Sequence, residues 1–483
     1  LKNTVWGAIV AAIVFAPSAF AQAQSDDAEI PASPAAPQGS APSPLVPSAS
    51  TAPATAPSAV AAATAPDATR DAEIAELRAR LDAVEAKQRT SFVRTLQDSF
   101  VLIGYVQGQY EGHQDSVDQL DTNGNPLNKD RFVVRRARLR LEGDWKYAST
   151  ILEFQGNTSS GPNAGIQKAE AALQYYVKRE DPNAAFAKIA LGLFDVPFGY
   201  ELTESPRFRP FMERTTGSRS IFPGEPDVGM RINGGIGFFR WTAAVINGEP
   251  LGEQSGFQLQ DPNAAKDAVF RFGVDAKPRP KIHVTGGISA MRGKGFHAGT
   301  AATKATIQWH DTNEDGIIQT SELTAIPGNA ATPSANFDRW LVGADAQAEV
   351  ESSLGTTKVY AEVYVGSNYD RGLLPSDPIL SGIDSRQFGW YVAGLQQVGT
   401  YGLVGLRFDY YDPNSDIFDS RGGKLLPYSQ IVKTWSPLVG TVVPHGKLYV
   451  QYDIIDNDFG RSSLGVPTKL NDNTVTVRLQ VEL

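Results

Sequence analysis

Arg136, Arg138 and Arg140 occupy every second position of the stretch Arg131-Phe-Val-Val-Arg-Arg-Ala-Arg-Leu-Arg-Leu-Glu142. Same-face residues of a strand lie about 6.6 to 7 Å apart, so an extended chain turns these arginines into a rail of guanidinium groups. Val133, Ala137, Leu139 and Leu141 then take the opposite face, and Arg135 is the exception among them. Guanidinium forks suit the oxygens of phosphate, and a row of them at this spacing can hand an anion along. Lys168 and Lys188, on two later alternating segments, are expected to extend the same wall. A soluble sandwich would turn such a rail to bulk water, whereas a membrane barrel would turn it into a wet lumen.

A second set of residues has the spacing of a cation site. Asp311-Thr-Asn-Glu-Asp-Gly-Ile-Ile-Gln-Thr-Ser-Glu322 fits the twelve-residue EF-hand loop. Asp311, Asn313 and Asp315 take the first three ligand positions, Gly316 the turn, Ile317 the carbonyl position, Gln319 the position that acts through water, and Glu322 the bidentate close. The expectation is Ca2+ held in a surface loop, with no helix pair around it and no other cofactor. With no cysteine in the chain, thiolate metal sites, disulfides and thiol catalysis are excluded. The five histidines lack ligand spacing, and no Ser/His constellation supports an enzyme such as a lipase. A net charge of −9 argues against a nucleic-acid partner.

The elements that must carry these residues alternate with a period of two from Ser99 to Leu483. Leu173 and Tyr175 alternate with Lys168, Glu170 and Gln174. Ile189, Leu191 and Leu193 alternate with Lys188. Phe270, Phe272 and Val274 oppose Arg271 and Asp275. The same holds for Val359 to Val365 against Lys358 to Tyr364, and for Leu448 to Ile454 against Lys447 to Asp453. The longer segments run about eight to eleven residues, enough for a tilted strand to cross a bilayer. Beyond the first two dozen residues no apolar run reaches the roughly 20 residues of a membrane helix. The fold expected is all-β, a transmembrane antiparallel barrel. Its last strand, Val475 to Leu483, pairs with the first near Phe100 to Gln109, so that no apolar edge is left open.

Ahead of the barrel the composition changes three times. Residues 1–21 read as a secretory signal peptide, with Lys2, an apolar stretch from Val5 to Phe15, and the small-residue site Ala19-Phe-Ala21. Residues 22–70 are rich in Ala, Pro and Ser and read as a flexible linker. Residues 71–91 place Ile74, Leu77, Leu81 and Val84 on an a/d seam, a short coiled-coil helix too brief for a stable dimer of its own. The barrel occupies residues 96–483.

Taken together, the chain resembles the phosphate-selective porin O and P family of Gram-negative outer membranes. The resemblance rests on Gly104-Tyr-Val-Gln107, Arg135-Arg-Ala-Arg-Leu139, Leu191-Gly-Leu-Phe-Asp-Val-Pro-Phe198, Phe211-Met-Glu-Arg214, Asp227-Val-Gly-Met-Arg231 and Asn247-Gly248. It implies a homotrimer of 16-stranded barrels in the outer membrane, each with an inward-folded constriction loop. Outer-membrane assembly signals usually end in an aromatic residue, and Leu483 departs from that. The non-alternating span Pro197 to Arg231, which also carries Arg219, is the expected constriction loop, bringing Arg207, Arg209, Arg214 and Arg231 to the path. Within it, Glu213 is expected to anchor an arginine, and Arg214 has an anchoring role as its alternative.

The function expected is a passive channel for small hydrophilic solutes, without enzymatic activity, preferring anions such as phosphate through an arginine-lined lumen. Two alternatives stand beside it. Pairing with Glu142, Glu153 and Glu170, together with acids such as Asp345 and Glu349, would leave a general-diffusion porin. A structural protein would instead tether the outer-membrane lipid to the cell wall through residues 22–91.

Overall fold

The computed structural model describes residues 75–82, 84, 100–114, 130–159, 161–176, 185–224, 226–248, 263–416, 418–421, 424–427, 430–461, 467–470 and 472–483. The expected signal peptide, the linker and most of the coiled-coil segment lie outside them. The chain divides into two units, residues 24–99 and the remainder. In the smaller unit residues 75–82 are helical, Arg80 pairs with Glu76 at 2.6 Å, and Leu77, Leu81 and Val84 are exposed. One amphipathic helix is what the described part of that segment contains.

The larger unit is a closed antiparallel barrel of sixteen strands. They are β1 (Phe100–His113), β2 (Arg131–Asp144), β3 (Ala148–Asn157), β4 (Asn163–Tyr175), β5 (Ala187–Asp195), β6 (Pro226–Ile236), β7 (Phe239–Ile246) and β8 (Asp267–Arg279). After them come β9 (Ile282–His297), β10 (Ala335–Ser352), β11 (Gly355–Ser367), β12 (Arg386–Val398), β13 (Gly402–Asp412), β14 (Val432–Val443), β15 (Gly446–Arg461) and β16 (Thr474–Glu482). Each pairs with its sequence neighbours, and β16 returns to β1 with Tyr105 opposite Glu482 and His113 opposite Thr474. The Leu483 N–H donates to the Gly104 carbonyl at 2.9 Å. Closure gives the backbone groups of the wall partners within it, which is what lets strands cross hydrocarbon.

Short connections fall mostly at one end of the barrel and long ones mostly at the other. Two-residue turns follow β6, β8, β10 and β14, and at the opposite end loops such as 196–225, 298–334 and 368–385 are long. The long 298–334 connection contains its own hairpin, Thr306–Trp309 with Leu323–Ile326.

Alternation sorts the residues. Leu139, Leu173, Leu191, Phe272, Val363, Val450 and Leu479 point outward and are exposed, while Gln107, Arg138, Glu170, Asp345, Glu362, Arg407, Asp453 and Arg478 point inward and are buried. Aromatic contacts ring both ends. Phe100 and Trp145 meet edge-on at 5.4 Å near the short turns, and Phe408 and Trp435 meet at 4.7 Å near the long loops. An apolar outer band between aromatic girdles is the exterior of a membrane barrel. Among the described residues no helix is long and apolar enough to cross a membrane.

One expectation is corrected in β2. Gln107 faces Arg136 and Gly108 faces Val134, so Arg135 is an extra residue in the ladder, a β-bulge. The extra residue shifts the phase of the strand. Val133 therefore lies inside and is buried, Phe132 and Val134 face outward, and Arg135 turns inward despite its place in the alternation.

The candidate channel lumen

The lumen is shaped by residues 196–224, which leave β5 and fold inward. Several strands hold this loop. Gly199 has a φ of +61°, and a Cβ there would stand 1.7 Å from Glu362 Oε1, so only glycine fits. Its N–H donates to Ser289 Oγ at 3.1 Å, and the next two N–H groups, of Tyr200 and Glu201, donate to Glu362 Oε2 at 3.2 Å. Arg407 on β13 donates to Glu201 Oε1 at 3.2 Å and to the Glu213 carbonyl at 2.8 Å. The Glu201 carboxylate also takes the Thr215 N–H and hydroxyl, the latter at 2.7 Å. On β15 Gln451 accepts from Met212 N–H at 2.9 Å, and Lys447 donates to the Arg207 carbonyl at 2.8 Å.

Apolar side chains fill the space behind the loop. Phe198, Leu202, Ile221 and Phe222 pack with Leu341, Tyr364 and Tyr411, while Phe211 and Met212 pack with Tyr360, Tyr391, Leu395 and Tyr449. Each such side chain contributes roughly 1.5 to 3 kcal/mol when fully buried. A second loop locks the first, with Arg371 donating to the Ile221 carbonyl at 3.0 Å and to the Gly248 carbonyl at 2.6 Å. The inward loop is thus packed against the wall from β9 through β15.

The rail residues all face inward, and each has an acidic partner. Arg136 meets Glu213 at 2.9 Å, Arg138 meets Glu153 at 3.1 Å, and Arg140 pairs with Glu142 and, at 3.4 Å, with Glu153. Lys168 pairs with Asp195, and Lys188 stands 3.7 Å from Glu170. The expected loop arginines separate into three roles. Arg207 pairs with Glu482 at 2.8 Å. Arg209 donates to the Glu204 carbonyl at 2.9 Å and Arg214 to the Phe222 carbonyl at 2.8 Å, so both are buried ties of the loop to itself. Arg231 stands on β6 rather than in the loop; it donates to Glu170 at 2.8 Å and lies over the Phe194 ring at 4.7 Å.

Three further residues belong with the rail. Arg135 Nε and Arg478 Nη2 each stand 2.9 Å from Glu213 Oε1, and Arg271 pairs with Asp345. Alternation places Arg271 and Arg478 on inward faces, but nothing local distinguishes them from other inward charges. Burial works to raise the Glu213 carboxyl, yet Arg135, Arg136 and Arg478 outweigh it and hold the group well below the usual carboxylate range.

Exposure within several lumenal pairs is lopsided. The Arg140 side chain is 24% exposed against 6% for Glu153, Arg231 19% against 4% for Glu170, and Arg271 20% against 0% for Asp345. Lys168 and Asp195 run slightly the other way, Glu142 is more exposed than Arg140, and Glu213 is more exposed than Arg136 or Arg478. Glu170 serves both Arg231 and Lys188. Where acids are tucked behind cations, water in the lumen meets the cation.

In the loop from Asp311 to Glu322 the expected ligand oxygens are engaged locally. Asp311 Oδ2 accepts from the Gly316 N–H at 2.7 Å, Asp315 Oδ1 from the Ile317 N–H at 2.7 Å, and Asn313 Oδ1 from the Asp315 N–H at 3.1 Å. Gln319 donates to Asp315 at 2.8 Å, and Glu322 accepts from the Trp309 indole at 3.0 Å and the Thr312 N–H at 3.2 Å. Among the described residues no three His, Asp or Glu side chains converge as metal ligands.

No family model matches the chain, and no curated protein matches it. The resemblance to phosphate-selective porins therefore remains one of motifs. Among solved structures, the chain is similar to an anion-selective porin from Comamonas acidovorans, with 12% identity, a TM-score of 0.49, and coverage of 80% of this chain and 99% of that one. OprB of Pseudomonas putida aligns at 12% identity and a TM-score of 0.48, over 81% of this chain and 96% of that one. The outer-membrane channel DcaP of Acinetobacter baumannii aligns at 12% identity and a TM-score of 0.47, over 80% and 97% respectively.

Proposed function

We propose that this chain is a passive outer-membrane channel for small hydrophilic solutes, with a preference for anions such as phosphate. The observation that carries the preference is the lopsided exposure of three lumenal ion pairs, in which Arg140, Arg231 and Arg271 reach water while Glu153, Glu170 and Asp345 are covered. A permeating ion responds most to the charges it approaches most closely, because the Coulomb energy falls with distance and a covered counter-charge lies further off. Guanidinium groups bind oxyanions without demanding a single geometry, which suits passage rather than capture. The wall supplies the rest of the argument: a closed barrel with an apolar exterior and a polar interior belongs in a bilayer.

The reading includes the homotrimer and outer-membrane placement implied by the motif resemblance and the export expected from residues 1–21, and it assigns no reaction to the chain. Reversal potentials measured across a KCl gradient test it. Chloride permeating several-fold better than potassium supports the reading; equal permeation points to a general-diffusion porin, and preference for potassium overturns the anion claim.

A further inference from the structure

We propose that Arg135, Arg136 and Arg478 form a binding site for the two-oxygen face of a solute carboxylate or phosphate, and that Glu213 is a tethered occupant which such a solute displaces in passing. The inference deepens the anion-channel reading and rests on it. Glu213 uses both carboxylate oxygens in the cradle. Oε1 accepts from Arg135 Nε at 2.9 Å, Arg136 Nη1 at 3.1 Å and Arg478 Nη2 at 2.9 Å, and Oε2 accepts from Arg136 Nη2 at 2.9 Å and Arg135 Nη2 at 3.4 Å. A free carboxylate, or two oxygens of a phosphate, presents the same pair of acceptors to the same forks.

Cradle and occupant are built differently. Arg136 and Arg478 are more than nine-tenths buried and stand on strands; Arg478 is fixed from behind by Gln109 Oε1, at 2.9 Å from Nε and 2.7 Å from Nη2. Glu213 reaches in from the loop, and its side chain is 23% exposed against 2% for Arg478. Its backbone is secured independently, by Arg407 on the Glu213 carbonyl and Gln451 on the neighbouring Met212 N–H. The carboxylate is therefore free to swing out by side-chain rotation while the loop keeps its seat.

The energetics favour exchange over net binding. Removing a carboxylate from buried guanidinium groups without replacement leaves unpaired charge in the wall, which is costly. Replacing it by a solute oxyanion keeps an anion between the three guanidinium groups. Tethered competition also weakens the solute's hold, as conduction requires.

Single-channel recording of the full-length protein in KCl, with phosphate or acetate added as the probe, tests the proposal. Glu213→Gln removes the competing charge, and either probe is expected to reduce chloride current at concentrations about tenfold lower than in the parent channel. Block by both anions identifies the shared two-oxygen face, and block by phosphate alone narrows the site to phosphate. Adding Arg478→Gln to that variant is expected to restore the parent's weak block. Glu213→Asp keeps the charge on a shorter arm and gives an intermediate value, which preserves the test should Glu213→Gln fail to assemble. Conducting variants whose block stays within twofold of the parent overturn the inference alone. A parent protein that never conducts overturns the channel reading instead.

Discussion

Arg135 reaches Glu213 at 2.9 Å from a strand position that regular alternation assigns to lipid. The contact exists because Arg135 is the extra residue of a bulge, which returns the following rail of Arg136, Arg138 and Arg140 to the inward phase. The bulge thus does two things at once: it supplies a partner for the inward loop, and it absorbs the extra residue so that the rail keeps its inward phase.

Deleting Arg135 should therefore leave the barrel intact. The deletion closes the bulge and keeps Arg136 inward and Val134 outward, losing the charge-assisted hydrogen bonds of Arg135 to Glu213, the shorter of them worth about 1.5 to 3 kcal/mol. Heat-modifiable mobility on gels and urea unfolding in detergent check this. A protein that no longer assembles would show that the bulge is needed for the register itself.

Lipid exposure makes a sharper claim about the outer face. Leu191 sits in the middle of β5 with its side chain outward, and Leu191→Arg should cost about 2 to 4 kcal/mol at the bilayer midplane. Val443→Arg, beside a short turn at the end of β14, should cost about 1 kcal/mol or less. Equal costs in a lipid-refolding titration would contradict the placement of the membrane band.

Gly199 provides the test of how the inward loop is seated. A methyl group there collides with the Glu362 carboxylate, and the positive φ adds strain of order 1 to 3 kcal/mol. Gly199→Ala is expected to release the N–H contacts of Tyr200 and Glu201 and to make residues 196–224 cleavable by added protease, with the strands still protected. Unchanged protection would mean that the apolar packing behind the loop suffices without this anchor.

Acid should act on the Glu213 node late. A carboxyl whose folded pKa is depressed contributes stability that is fully present above its ordinary value, about 4.3, and is lost only as pH falls through the depressed value. The difference in loop protection and conductance between the parent and Glu213→Gln should stay flat from pH 8 to about 5 and change only below about 4. Glu213→Gln should remove that acid limb. A transition near pH 6 that disappears in the same variant would contradict the assignment.

Much of the barrel is readable from the chain because period two is a local property. Leu191 against Lys188, or Val450 against Gln451, tells which face is which without knowing any neighbour. The bulge is not local in that sense: the phase shift between Val133 and Arg136 emerges only when β1 is laid alongside. Ion-pair partners are less legible still. Arg478 and Glu213 lie 265 positions apart and meet only because the loop folds inward and the barrel closes. Arg209 and Arg214 look like path residues in sequence, yet the loop needs their guanidinium groups to satisfy its own carbonyls. The composition of the loop is informative; the direction of each arginine depends on packing that arises after folding.

The central claim is a water-filled path in which Arg140, Arg231 and Arg271 are more exposed than Glu153, Glu170 and Asp345 and tip the balance toward anions. Reconstituting the purified protein in a planar bilayer between unequal KCl concentrations tests it most directly. The account predicts stepwise conductance with a reversal potential displaced toward the chloride equilibrium potential, and a smaller displacement after Arg140, Arg231 and Arg271 are changed together to glutamine. Absence of conducting steps, or a reversal potential on the potassium side, would contradict it.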